Sequence, residues 1–151
     1  MRVYLDVSCL NRPFDDQEQM RIRVESEAIV LILERCDRGE WRQLSSEMAL
    51  IEIGAATDVV RRNRVLRLLP GKRDIMSLDD AIWRRGAELE TLGFRAAGAV
   101  HVAAAEAIGV DVFLSCDDQL CRVAKRLNNV LAVRVSNPVA WLQEVEDADD
   151  A

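Results

Sequence analysis

The stretch Val110-Asp111-Val112-Phe113-Leu114-Ser115-Cys116-Asp117-Asp118 decides the fold. Its first five residues form a short, nearly continuous apolar run, and turn-forming polar residues stop it at two adjacent acids. Immediately before it, residues 95–108 (Arg-Ala-Ala-Gly-Ala-Val-His-Val-Ala-Ala-Ala-Glu-Ala-Ile) are apolar nearly all round, which marks a buried helix. A buried helix feeding a buried strand is the repeating unit of a parallel sheet covered on both faces.

The same alternation extends outward in both directions. Residues 2–6 read as a β-branched and aromatic strand closed by Asp6, followed by a loop with Asn11-Arg12-Pro13 and Asp15-Asp16 as turn signals. From Gln17 to Arg38, Ile22, Ile29, Ile32, Leu33 and Cys36 recur at helical spacing, and Gly39 ends the helix. Residues 41–45 read as a short strand. Ser45-Ser46-Glu47 then opens a helix with a capping hydroxyl and an acid in its first turn; Leu50, Ile53 and Thr57 are expected on its buried face. Asp58 begins an Arg-rich helix to Leu69, stopped by Pro70-Gly71, and residues 75–78 form a minor extended segment. Asp79 caps a helix to Leu92, which Gly93 ends. After the deciding stretch, residues 117–127 are helical, 130–135 form an apolar strand, and Asn137-Pro138 opens a last helix through Val145.

The expected architecture is a single three-layer α/β/α sandwich over residues 1–143, with a mainly parallel sheet of four to five strands. Residues 144–151 are expected to be a frayed acidic tail, because Glu144, Glu146, Asp147, Asp149 and Asp150 crowd it with no base between them.

At 151 residues the chain suits one domain with one substantial core. No apolar run reaches the length needed to span a bilayer, and an acid meets the N-terminal apolar run at Asp6, unlike a signal peptide. The expected location is cytoplasmic. The net charge of -6 argues against bulk attraction to nucleic acid, yet without the five tail acids 21 acids stand against 20 bases. Lys72 and Lys125 are the only lysines, so 18 of the 20 bases are Arg, the better bidentate grip on phosphate. Cys9, Cys36, Cys116 and Cys121 include no CxxC pair and His101 is the only histidine, which excludes a structural zinc site. Cys9 and Cys116 read as packing residues with reduced thiols.

Open parallel sheets place their sites beyond the carboxyl ends of the strands. Asp6 closes the first strand and Asp117 follows the 110–114 strand, while Glu52 can lean over the same edge from its helix. Clustered carboxylates repel, and a hard cation such as Mg²⁺ or Mn²⁺ relieves that repulsion with few protein ligands. Such an ion supports phosphodiester hydrolysis. Against this stand ordinary structural roles: Asp117 or Asp118 can cap the helix that follows, and Glu47 suits a helix dipole. His101, on a buried helix, is better read as a hydrogen-bonded core histidine than as a base. Arg61, Arg62, Arg64 and Arg67, with Lys72 and Arg73, form the densest basic stretch, a solvated face that could also hold RNA phosphates.

Four segments taken in order resemble the PIN-domain family, including the toxin-type endoribonucleases of bacterial toxin–antitoxin pairs. They are Val3-Tyr4-Leu5-Asp6-Val7-Ser8, Leu44-Ser45-Ser46-Glu47 through Ile51-Glu52-Ile53, Gly98-Ala99-Val100-His101-Val102-Ala103, and Val112-Phe113-Leu114-Ser115-Cys116-Asp117-Asp118. The resemblance covers residues 2–142. It implies a Mg²⁺- or Mn²⁺-dependent endoribonuclease in which Asp6, Glu52 and Asp117 are metal-binding and catalytic, with Ser8, Ser115 and Asp118 in support. It also implies an antitoxin that covers the acidic edge with an arginine, and a homodimer, for which the apolar residues of helix 17–38 offer an interface.

One position departs from the family pattern. Gly98 stands where an Asp-Ala-Leu-His-type run places another metal-binding aspartate, which leaves a weakened metal site or a degenerate RNA- or protein-binding module as the alternative. Glycine there also permits close packing of the helix against the sheet. An aspartyl phosphatase is disfavoured because Ser8 stands where that chemistry wants a second acid. A receiver-type signalling domain lacks its paired acids and late lysine.

Overall fold

The computed structural model describes residues 1–151. In chain order it holds β1 (Arg2–Leu5), α1 (Val7–Asn11), a 3₁₀ turn (Arg12–Phe14), α2 (Met20–Asp37), β2 (Arg42–Ser46), α3 (Glu47–Gly54) and α4 (Val59–Leu66). Then come β3 (Ile75–Met76), α5 (Asp80–Thr91), α6 (Ala96–Ile108), β4 (Val112–Leu114), α7 (Asp118–Arg126), β5 (Val135–Ser136) and α8 (Pro138–Asp149). The five strands are all parallel in the order β3-β2-β1-β4-β5, with Tyr4 opposite Leu44 on one side and Phe113 on the other. The α/β sandwich expected from the sequence is therefore the fold of the chain.

Side chains alternate across a strand, and that alternation divides the core in two. Val3, Leu5, Val112 and Leu114 face α2 and α8, where Ala28, Ile29, Ile32, Trp141 and Leu142 pack on them. Tyr4, Leu44 and Phe113 face α5, α6 and α7, against Leu89, Val102, Ala103, Leu120 and Val123. Covering both faces requires the all-apolar strand interiors seen in β1 and β4. The alanines of α6 let it lie close to the sheet, and Gly109, at φ 76°, supplies the left-handed cap that turns the chain toward β4.

Helix starts follow the sequence closely. The side chains of Ser46, Asp58, Asp79, Asp117 and Asn137 each accept a backbone N–H from the first turn of the helix they precede.

Other expectations need correction. α3 stops at Gly54 and buries Ala49 and Ile53, one turn apart, while Leu50 and Thr57 lie exposed. The strand expected over 130–135 shrinks to Val135–Ser136. The Glu106 carboxylate takes the Ala132 N–H at 2.7 Å and Arg85 donates to the Val130 carbonyl, so side chains occupy groups a strand would have paired. α8 continues through Asp149, so most of the expected frayed tail is helical. Two arginines anchor it: Arg134 pairs with Glu144, and Arg35 lies 3.8 Å from Glu146. No helix is long and apolar enough to cross a membrane.

Candidate functional site

From β1 the chain builds outward through β2 and β3, then returns to the other side for β4 and β5. Such a reversal opens a crevice at the carboxyl ends of the two strands that flank it, here β1 and β4. Asp6 follows β1 into that crevice and Ser115 follows β4; both are buried. The Asp6 Oδ2 accepts hydrogen bonds from Ser115 Oγ at 2.7 Å and Ser8 Oγ at 2.9 Å. Each serine oxygen in turn accepts a backbone N–H, from Asp117 onto Ser115 and from Cys116 onto Ser8, both at 3.1 Å. With their acceptor sides so occupied, both hydroxyls aim their protons at Asp6. Two neutral donors thus hold a buried carboxylate that has no Arg or Lys partner.

The second acid arrives from α3. Glu52 lies at half-buried depth above the crevice, and its Oε1 contacts His101 Nε2 from α6. His101 Nε2 is also 4.0 Å from Asp6 Oδ1. One ligand atom each from Asp6, Glu52 and His101 lies within 4.8 Å of the others.

Behind the imidazole runs a buried polar chain. His101 Nδ1 is 2.6 Å from the Tyr4 hydroxyl, which is 2.7 Å from Ser46 Oγ. An ionised Glu52 can only accept, so the neutral imidazole carries its proton on Nε2 and leaves Nδ1 to accept from Tyr4. Tyr4 then accepts from Ser46, whose oxygen also takes the Met48 N–H as the cap of α3. Burial pushes the Tyr4 phenol above its ordinary value, so it remains a neutral donor.

The remaining candidates stand outside this group of three. Asp117 caps α7, its Oδ1 accepting from Gln119 and Leu120, and it does not join the group around His101. Asp118 points outward to Arg21 with two 2.7 Å contacts, and the guanidinium holds its carboxyl below the usual range. Glu47 accepts the Leu78 N–H at 2.8 Å, tying α3 to the segment after β3. A side chain at Gly98 would meet Leu120 Cδ1 at 3.0 Å, so the close approach this glycine permits is to α7 rather than to the sheet. Arg64, Arg67, Lys72 and Arg73 are exposed, whereas Arg61 is paired with Asp15.

The sequence reading placed His101 correctly in the core but missed that its Nε2 faces the two acids. The available signal was spacing: three residues after Gly98, His101 shares a helix face with the position of the missing acid. The reading also passed over Glu25, a buried carboxylate held by Arg12 Nε at 3.0 Å and Asn137 Nδ2 at 2.7 Å.

No family model and no curated protein matches the chain. Among solved structures it is similar to VapBC2 from Rickettsia felis, a complex bound to a DNA fragment from their promoter. The TM-score is 0.59 at 10% sequence identity, over 91% of this chain and 98% of that one. At that identity the likeness is one of architecture: the chain shares the α/β fold of that structure.

Proposed function

We propose that the crevice between β1 and β4 binds a divalent cation through Asp6 and Glu52 and hydrolyses RNA phosphodiester bonds. The observation that supports this reading most is the convergence of Asp6, Glu52 and His101 at the topological switch point of the sheet. Two carboxylates fit a hard ion that keeps most of its water. When bound, that ion would polarise a phosphoryl oxygen and activate a water.

The chain's own residues divide the rest of the work. Ser8 and Ser115 fix Asp6 Oδ2, which leaves Oδ1 free of hydrogen bonds and 4.0 Å from His101 Nε2. The part-exposed Glu52 gives access from solvent, while buried His101 closes the floor. Of the exposed basic groups, Arg64 would hold an RNA phosphate without reading sequence, whereas Arg67, Lys72 and Arg73 lie by the amino ends of β2 and β3, away from the crevice. The toxin role is proposed on the resemblance of the four sequence segments to the PIN-domain family, and it brings an antitoxin as partner.

The test is cleavage of a structured RNA with Mg²⁺ or Mn²⁺. Activity should vanish in excess chelator and in Asp6→Asn; activity that persists in either sinks the proposal. A second reading, a binding module without turnover, is favoured by Gly98 and by the use of Asp117 as a cap. It predicts RNA binding without cleavage in the wild type, with cleavage gained in Gly98→Asp.

A further inference from the structure

The imidazole of His101 is placed as metal-binding histidines are. One ring nitrogen faces the candidate site, and the other lies within hydrogen-bond distance of a buried hydroxyl that can accept its N–H once an ion is bound. His101 is fully buried, its Nε2 touches Glu52 and lies 4.0 Å from Asp6 Oδ1, and Tyr4 holds Nδ1 at 2.6 Å. Donors around a tetrahedral ion at about 2.0–2.1 Å sit about 3.3 Å apart, so Asp6 and His101 need approach by less than an ångström. Residue 98 is glycine, and Asp117 Oδ1 caps α7.

We infer that His101 Nε2 is the third protein ligand of the site, which therefore takes a borderline first-row ion such as Zn²⁺ or Co²⁺ in preference to Mg²⁺. The inference rests on the metal-site reading above and specifies it. Imidazole suits Zn, Fe and Ni, whereas Mg²⁺ favours oxygen ligands and gives up water reluctantly. Three protein ligands with an open fourth position are also the pattern of catalytic rather than structural zinc.

Ligation requires the Nε2 proton to leave that atom, and the buried chain can accommodate this. The Nε2 proton leaves to solvent by way of the part-exposed Glu52 and one is taken up from solvent at Nδ1, so the ring stays neutral; Nδ1–H then donates to Tyr4, which turns its own proton toward Ser46. Ser45, whose buried hydroxyl has no hydrogen-bond partner, is a further acceptor beside the phenol.

Because His101 is the only histidine, the experiment is unambiguous in tag-free, ¹⁵N-labelled protein. Long-range ¹H–¹⁵N correlation should show the proton on Nε2 without metal, and on Nδ1 with a metal-bound Nε2 after one equivalent of Zn²⁺. In calorimetry, His101→Gln should weaken Zn²⁺ binding by more than about 10-fold and leave Mg²⁺ nearly unchanged, and Tyr4→Phe should weaken Zn²⁺ about 10–100-fold as a positioning residue. If Zn²⁺ binds with calorimetric heat but leaves both ring nitrogens unchanged, the histidine assignment is overturned while the carboxylate reading stands. If neither Zn²⁺, Co²⁺ nor Mg²⁺ binds, both are overturned.

Discussion

His101 on α6 and Glu52 on α3 meet side chain to side chain, Nε2 against Oε1, across the mouth of the β1–β4 crevice. The contact joins a fully buried ring to a half-exposed carboxylate, so it links the core chain through Tyr4 and Ser46 to solvent.

Tyr4 is the only tyrosine, so tyrosinate absorbance reports it alone. Burial raises its folded value above the ordinary 10.0. The unfolded chain then sheds the proton first, so this contribution to stability is complete below pH 10 and falls as pH rises beyond it. Tyrosinate should appear together with loss of far-ultraviolet dichroism; a tyrosinate signal near its ordinary value in folded protein contradicts the buried chain.

Glu25 is nearly inaccessible and satisfies Arg12, Arg21 and Asn137, tying α2 to the 3₁₀ turn and the start of α8. Without Glu25, Arg12 keeps Asp15 and Arg21 keeps Asp118, but the Asn137 amide loses its acceptor. Glu25→Ala should cost about 1–3 kcal/mol in urea unfolding. Glu25→Gln, which keeps one acceptor, should cost less; equal losses would show that packing rather than charge is at stake.

Much of the fold was legible because it rests on local chemistry. Ser46, Asp58 and Asp79 cap helices as their side chains predict, and the apolar circumference of α6 announced its burial. What escaped the sequence was set by contacts between distant residues. The Arg85–Glu106 pair claims the backbone near Ala132 and shortens β5, and Arg35 and Arg134 reach across to acids of α8. At the site, Asp6 could be read from its place after a strand. The turn of His101 toward Glu52 could not, because the apolar pattern of α6 fixes burial but not which nitrogen meets which acid.

Gly98 separates two effects. Gly98→Ala gains about 1 kcal/mol of helix propensity, but its Cβ presses the flexible end of Leu120. The net change in unfolding free energy should stay within about 1 kcal/mol. A larger loss would show that α6 and α7 cannot separate slightly.

The thiols should be silent in the folded chain. Cys9 and Cys116 are buried with their sulfurs 3.7 Å apart, and burial pushes Cys36 up to about 11 and Cys121 up to about 12. Both shifts keep the protonated, unreactive form at neutral pH. An aromatic disulfide reagent should therefore titrate all four only after denaturation. Rapid modification of the native chain at neutral pH would contradict this packing.

The central claim is that the two acids at the end of β1 and on α3 form one cation site. Calorimetric titration of Mn²⁺ into the wild type and into Asp6→Asn tests it most directly. The wild type should bind one ion per chain, and Asp6→Asn should give no binding heat. Equal binding by both proteins, or by neither, would contradict it.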